Sequence, residues 1–150
     1  MKLVLAFLPM ASALLMSGCG GSYEPSNARE LVECYKTEFD ADPSPAVAAL
    51  QAKQIVRAGS GAQFLRFTAD EATIDSILAR GFNPINKVTF DQETASGNAP
   101  AWWRPLEDKM SLFFKHPNWK KHFGAGSQST AYLACDADKK IVYFLCNVMD

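Results

Sequence analysis

Ser129-Thr130-Ala131-Tyr132-Leu133-Ala134-Cys135 and Ile141-Val142-Tyr143-Phe144-Leu145-Cys146 flank the polar stretch Asp136-Ala137-Asp138-Lys139-Lys140. Two apolar runs joined by a short polar turn predict a β-hairpin. Side chains alternate across a strand, so Ala131, Leu133 and Cys135 share one face. Val142, Phe144 and Cys146 share one face of the partner strand. Working back along the chain, Ser111-Leu112-Phe113-Phe114-Lys115 predicts another strand. Gln54-Ile55-Val56-Arg57 and Gln63-Phe64-Leu65-Arg66-Phe67 predict two more, around the turn Ala58-Gly59-Ser60-Gly61. No Gly-Lys-Ser/Thr follows those glycines, so they read as a hairpin turn and not as a phosphate loop. Val47 to Arg57 is ambiguous at its start, where Ala48-Ala49-Leu50-Gln51 also suits one turn of helix.

Two helices are expected against this sheet. Asn27 and Glu30 have the spacing of a capping box, and Ala28, Leu31, Cys34 and Tyr35 form a narrow apolar stripe that turns Cys34 inward. Asp40-Ala41-Asp42-Pro43-Ser44-Pro45 ends that helix. Thr68 and Glu71 suggest a second capping box, Ile74, Ile77 and Leu78 a buried stripe, and Gly81 a terminator. Val88 to Thr94 is compatible with a short helix, and Ala95 to Pro105 is irregular. The expected class is α+β, with a small antiparallel sheet of four to five strands packed against two helices. Residues 27–150 form a single domain.

The N-terminus carries a different signal. Lys2 is followed by the apolar run Leu3 to Met16, broken only by Pro9 and Ser12. A short positive segment and an apolar stretch of roughly 7–15 residues suit a secretory signal and are too short to span a bilayer. Met16-Ser17-Gly18-Cys19 follows, then Gly20-Gly21. This resembles the lipobox of bacterial lipoproteins, with Met16 standing where leucine is usual. The resemblance implies a signal peptide over 1–18, lipidation of Cys19, a lipidated tether over 19–26 and a bacterial cell-envelope address. Gly20 lacks the aspartate linked to inner-membrane retention, which implies the outer membrane, facing the periplasm. The implied partner is the membrane, through the lipid on Cys19.

Removal of 1–18 leaves about 130 residues, enough for one core. The net charge of −1 gives no bulk preference for nucleic acid, and none is expected as a partner. Cys34, Cys135 and Cys146 remain once Cys19 is lipidated. An exported domain meets an oxidising compartment, so one disulfide and one leftover thiol are expected. Cys135 lies near the hairpin turn and Cys146 far along the other strand, so Cys34 is the better partner for either. Three free, buried thiols are the alternative. No CxxC or HxxxH spacing supports a metal, and no cofactor is expected.

The candidate binding surface combines two stretches. Trp102, Trp103 and Arg104 lie between Pro100 and Pro105; they read either as a plug on the core or as an exposed aromatic platform. Lys115, His116, Trp119, Lys120, Lys121 and His122 form a basic aromatic loop without an acid; it suits an anionic partner, or is solvated with Trp119 pinned to the core. No Gly-x-Ser-x-Gly or His-Glu-x-x-His motif occurs, and no catalytic residue is assigned. The expected function is non-enzymatic binding at the envelope. A periplasmic immunity protein against a toxin, using the acidic first helix, is the alternative by analogy. An envelope enzyme using His116 or His122 is the third reading.

Overall fold

The structure, a computed structural model, describes residues 20–119 and 128–149. In chain order its elements are β1 (Gly21–Tyr23), α1 (Ala28–Phe39), β2 (Ala48–Arg57), β3 (Ser60–Thr68), α2 (Glu71–Leu78), β4 (Asn83–Ile85), α3 (Lys87–Thr94), β5 (Leu112–His116), β6 (Gln128–Cys135) and β7 (Ile141–Met149). All the strands join one antiparallel sheet in the order β1-β2-β3-β7-β6-β5-β4. The class is α+β, as the patterning predicts. Among the described residues the sheet has seven strands, more than the four to five expected, and three helices accompany it where two were expected.

The extra strands carry no periodicity that a sequence can show, although Phe82-Asn83-Pro84-Ile85 reads as an extended return after the second helix, and β4 lies within it. β1 is three residues inside the stretch expected to be a free tether, and it pairs Gly21 with Val56 and Tyr23 with Gln54. β4 is Asn83-Pro84-Ile85, an edge strand that can hold a proline because an edge need not donate every N–H. Ala48-Gln51 is strand, not helix. A register shift between Ala48 and Gln51 absorbs the irregularity, with Ala49 at φ 50°.

Local chemistry fixes the turns. Arg57 pairs with Ser60 across a two-residue loop in which Gly59 takes φ +72°, a backbone angle that favours glycine. At the β6–β7 turn, Asp136 Oδ1 accepts from Lys140 N at 2.6 Å and Ile141 N at 2.8 Å. Lys139 then crosses to α2, its Nζ 2.6 Å from Asp75 Oδ1 and 3.5 Å from Glu71 Oε1. Asn27 caps α1 by accepting from Glu30 N at 3.0 Å, while Glu30 reaches back to Ser26 N at 2.9 Å. The cap of α2 is Asp70, accepting from Thr73 N at 2.9 Å, and not Thr68. Thr68 is held in β3, its hydroxyl donating to Ala48 O at 3.2 Å. Gly81, at φ +113°, ends the turn after α2.

Both faces of the central strands are buried. On one, Leu65, Phe67, Ala131, Leu133, Cys135, Val142, Phe144 and Cys146 pack on α1 and α2 through Cys34, Tyr35, Phe39, Ile74 and Ile77. The centre is Phe39, with ring centroids of Tyr35, Phe144 and Trp119 at 4.6, 5.0 and 5.9 Å. On the other face, Phe64, Tyr132, Ala134, Tyr143 and Leu145 pack on Phe90 of α3 and on Trp102, Trp103, Leu106 and Met110. Burial on two sides explains why β6 and β7 read as continuous apolar runs.

The cysteines face the α1 side, as alternation predicts, but among the described residues no disulfide joins Cys34, Cys135 or Cys146. The expected bridge is not formed. Cys135 pairs with Val142 and Cys146 with Ala131, at opposite ends of the hairpin. Between Cys34 and Cys146 stands Gln63, whose amide donates to Cys34 O at 3.3 Å and whose backbone pairs with Cys146.

Asp136→Ala removes the acceptor for two backbone N–H groups in the hairpin turn. It should cost about 1–3 kcal/mol, read as a lower urea midpoint with an unchanged slope.

Candidate functional site

The two sequence stretches proposed as one surface lie on opposite faces of the sheet. Trp102 and Trp103 cover the face that α3 also covers, and Lys115 points to the same side. His116 and Trp119 belong to the α1 and α2 side. Lys120, Lys121 and His122 lie outside the described residues, as do Cys19 and the signal segment 1–18.

The tryptophan segment is half-buried. Trp103 stands edge-on to Phe64 and Tyr143, with centroids 5.0 and 5.4 Å apart. Arg104 is exposed; its Nε donates to Ala101 O at 2.9 Å. Beneath Trp103 the Tyr143 ring is fully buried. Its hydroxyl donates to Asp108 Oδ2 and accepts from Arg66 Nε at 3.0 Å, while Arg66 Nη1 donates to Gln51 Oε1 at 3.4 Å. Burial and the bond to Asp108 push the Tyr143 phenol upward. The network ties the irregular 95–110 segment to β2, β3 and β7, so Trp103 plugs this face while Trp102 and Arg104 remain reachable.

Beside that segment, the end of α3 and residues 95–98 stand away from the sheet and leave an open cleft of about 460 Å³. Its floor includes Ile55, Ala62 and Leu145. Its polar lining includes Arg57, Asn98, Thr130 and Asn147. Glu93 closes one wall, with both carboxylate oxygens on Lys115 Nζ at 2.8 and 3.0 Å. The Tyr132 hydroxyl also bonds Glu93, and burial first, then that carboxylate, pushes its pKa up to about 12. Lys115 is thereby committed to α3 and to the Tyr132 ring, 5.6 Å away. Arg57 is exposed and makes no ion pair among the described residues. A second, smaller cleft of about 220 Å³ opens on the α1 side of the same sheet end, between Glu38, Val56, Gly61, Gln63, Cys146 and Val148.

On the α1 side, His116 is a structural residue. Its Nδ1 accepts from Asn118 N at 3.2 Å, which leaves Nε2 as the ring nitrogen that donates to Arg80 O at 3.2 Å. Arg80 in turn donates to Phe39 O at 2.6 Å, closing the end of α1. Trp119 Nε1 donates to the buried carboxylate of Glu38 at 3.2 Å. The pinned alternative for Trp119 is the arrangement found. Arg80, His116 and Trp119 together lock α1 to the β5 end.

Thiol chemistry is also suppressed. Burial pushes Cys135 up to about 11, with Asp136 adding to the effect, and burial raises Cys34 as well. Among the described residues no group of three or more His, Cys, Asp or Glu is placed to hold a metal ion, and no helix is long and apolar enough to cross a membrane. The acids on and beside α1 are partly paired within the domain: Lys36 lies 3.8 Å from Glu33 of the helix and 3.2 Å from Asp42 after it, Lys53 lies 3.4 Å from Glu24 before it, and Glu38 is buried.

Neither protein-family models, nor curated proteins, nor solved structures give a match to this chain. The site therefore rests on geometry alone. Arg57, Glu93, Asn98, Thr130, Tyr132 and Asn147 were not singled out as a site in the sequence. They come from β2, α3, a loop, β6 and β7, and only strand register brings them together.

Trp103→Ala should destabilise the domain by about 3 kcal/mol by opening a cavity over Phe64 and Tyr143, seen in equilibrium unfolding. The raised thiol of Cys135 sets a pH effect as well. Its protonated form contributes stability in full below the ordinary thiol value of 9.0, and that contribution is lost as pH rises toward about 11. Unfolding free energy should fall across that window, with a shallower slope in Cys135→Ala.

Proposed function

We propose that this chain is a bacterial envelope lipoprotein, anchored through Cys19, whose domain binds a partner or ligand without turning it over. The outer membrane, with the domain facing the periplasm, is the proposed address. One observation carries the binding reading. The side of the sheet that holds Trp102 and Arg104 also holds an open cleft with an apolar floor and a polar rim, whose one unpaired cation is Arg57 among its described lining residues. The opposite side is largely closed by α1, α2 and Trp119.

The groups that a reaction would recruit are engaged elsewhere. Both ring nitrogens of His116 serve the main chain, Glu93 is neutralised by Lys115, and the thiols are buried. The working surface is therefore proposed as residues 93–104 with Arg57, Thr130 and Asn147. An acidic or hydrogen-bonding ligand suits it, because Arg57 supplies charge and the amides supply both donors and acceptors. The toxin-masking alternative draws no support from α1, where Glu33 already meets Lys36 and Glu38 is buried.

Cys19→Ser should move the protein from the membrane to the soluble fraction; retention in the membrane fraction would remove the anchor from the proposal. In crosslinked envelope extracts, the paired change Arg57→Ala/Asn147→Ala should deplete the captured partner at unchanged melting temperature. Equal recovery would move the binding site elsewhere.

A further inference from the structure

The anchor is followed by almost no free chain. Gly21 already pairs with Val56, and a Cβ added at Gly20 would come within 2.9 Å of Val56 O, so the main chain lies against β2 from Gly20 onward. Successive Cα atoms are about 3.8 Å apart. On the lipid-anchor reading, the acylated residue is one peptide unit from Gly20, which itself lies against the end of β2.

That end of the sheet has its own character. Gln128, Met149, Ser60 and Arg57 form one row across β6, β7, β3 and β2. Val56 and Met149 are 57 % and 64 % exposed, among the few large apolar side chains that face solvent. Residues 56–61, 128–130 and 147–149 contain one charge, Arg57, while Glu38 and Glu93 line the clefts that open on its two sides and Asp150 follows Met149 in the sequence. The opposite end is strongly charged, with Asp136, Asp138, Lys139 and Lys140 in the turn and Glu71 and Asp75 of α2 beside it.

We propose that the domain rests on the bilayer by the Val56, Arg57 and Met149 end, in one orientation, with the 136–140 turn pointing away. The inference rests on the lipid-anchor reading above. Exposed apolar side chains next to a cation suit the headgroup layer of an anionic membrane, where an acyl anchor and a second, weaker contact act together. The charged opposite end gains nothing from that layer and keeps its hydration. The cleft beside Arg57 then opens next to the headgroups.

The test uses the acylated full-length protein bound to phosphatidylethanolamine and phosphatidylglycerol vesicles that carry a headgroup-proximal spin-labelled lipid. Ala58→Cys and Asp138→Cys each receive a bimane fluorophore; both positions are exposed, and the native thiols are buried and stay unlabelled. Flotation is measured first, then quenching of the floated protein. Quenching several-fold stronger at position 58 than at 138 is the expected result. Equal quenching, or the reverse order, in protein that floats overturns the orientation and leaves the anchor standing. Failure to float overturns the anchor reading and the orientation with it. Gln128→Cys and Ala137→Cys repeat the comparison on other strands at the same two ends, so that one perturbed variant does not decide the outcome.

Discussion

The pairing of β3 with β7 holds this domain together. It runs from Ser60 opposite Met149 to Thr68 opposite Ile141 without a break. Each of these strands is also half of a hairpin, so the contact joins two locally folded units with residues 69–127 between them. It turns β3 and β7 into interior strands and forces a decision on both of their faces. Neither face can meet water, because Leu65, Phe67 and Phe144 project one way and Phe64, Tyr143 and Leu145 the other. Two coverings are required, and the molecule has two: α1 with α2, and α3 with the irregular 95–110 segment.

The coverings differ in kind. Helices α1 and α2 lay down apolar stripes around Phe39 and close their side through Arg80, His116 and Trp119. The other side is closed by an irregular segment whose backbone cannot satisfy itself as a helix does. It is held instead by side chains, Trp103 above and the Arg66–Tyr143–Asp108 network below. A buried tyrosine between a guanidinium and a carboxylate makes that attachment specific, since removing either partner leaves a polar group unpaired. Irregular cover also leaves gaps, and the cleft beside α3 is one. The surface proposed for binding is thus a consequence of how the second face is closed.

Much of the fold is legible in the residues. The 129–146 hairpin, the turn at Gly59, the helix capped by Asn27 and the inward direction of Cys34, Cys135 and Cys146 all follow from local pattern, and the structure has them. Other features are not written locally. β1 and β4 are too short to show alternation, and the alanines at 48 and 49 favour helix by propensity until β3 offers a ladder. Thr68 has the spacing of a cap, but the strand claims it and Asp70 caps the helix instead. Of the proposed binding residues, Trp102, Trp103 and Arg104 were visible as an unusual cluster. Lys115, His116 and Trp119 looked like one basic loop, yet alternation along β5 sends Lys115 and His116 to opposite faces.

The sequence by itself determined the α+β class, the core hairpin and which side chains share a strand face, because those depend on periodicity and turn chemistry within a few residues. The tertiary structure alone decided that seven strands join, that the thiols stay apart, that His116 serves the backbone, and that Arg57, Glu93, Thr130 and Asn147 line one cleft. Those outcomes depend on register between segments far apart in the chain. Register is set by which buried faces fit together, a property of the assembled core and not of any stretch within it.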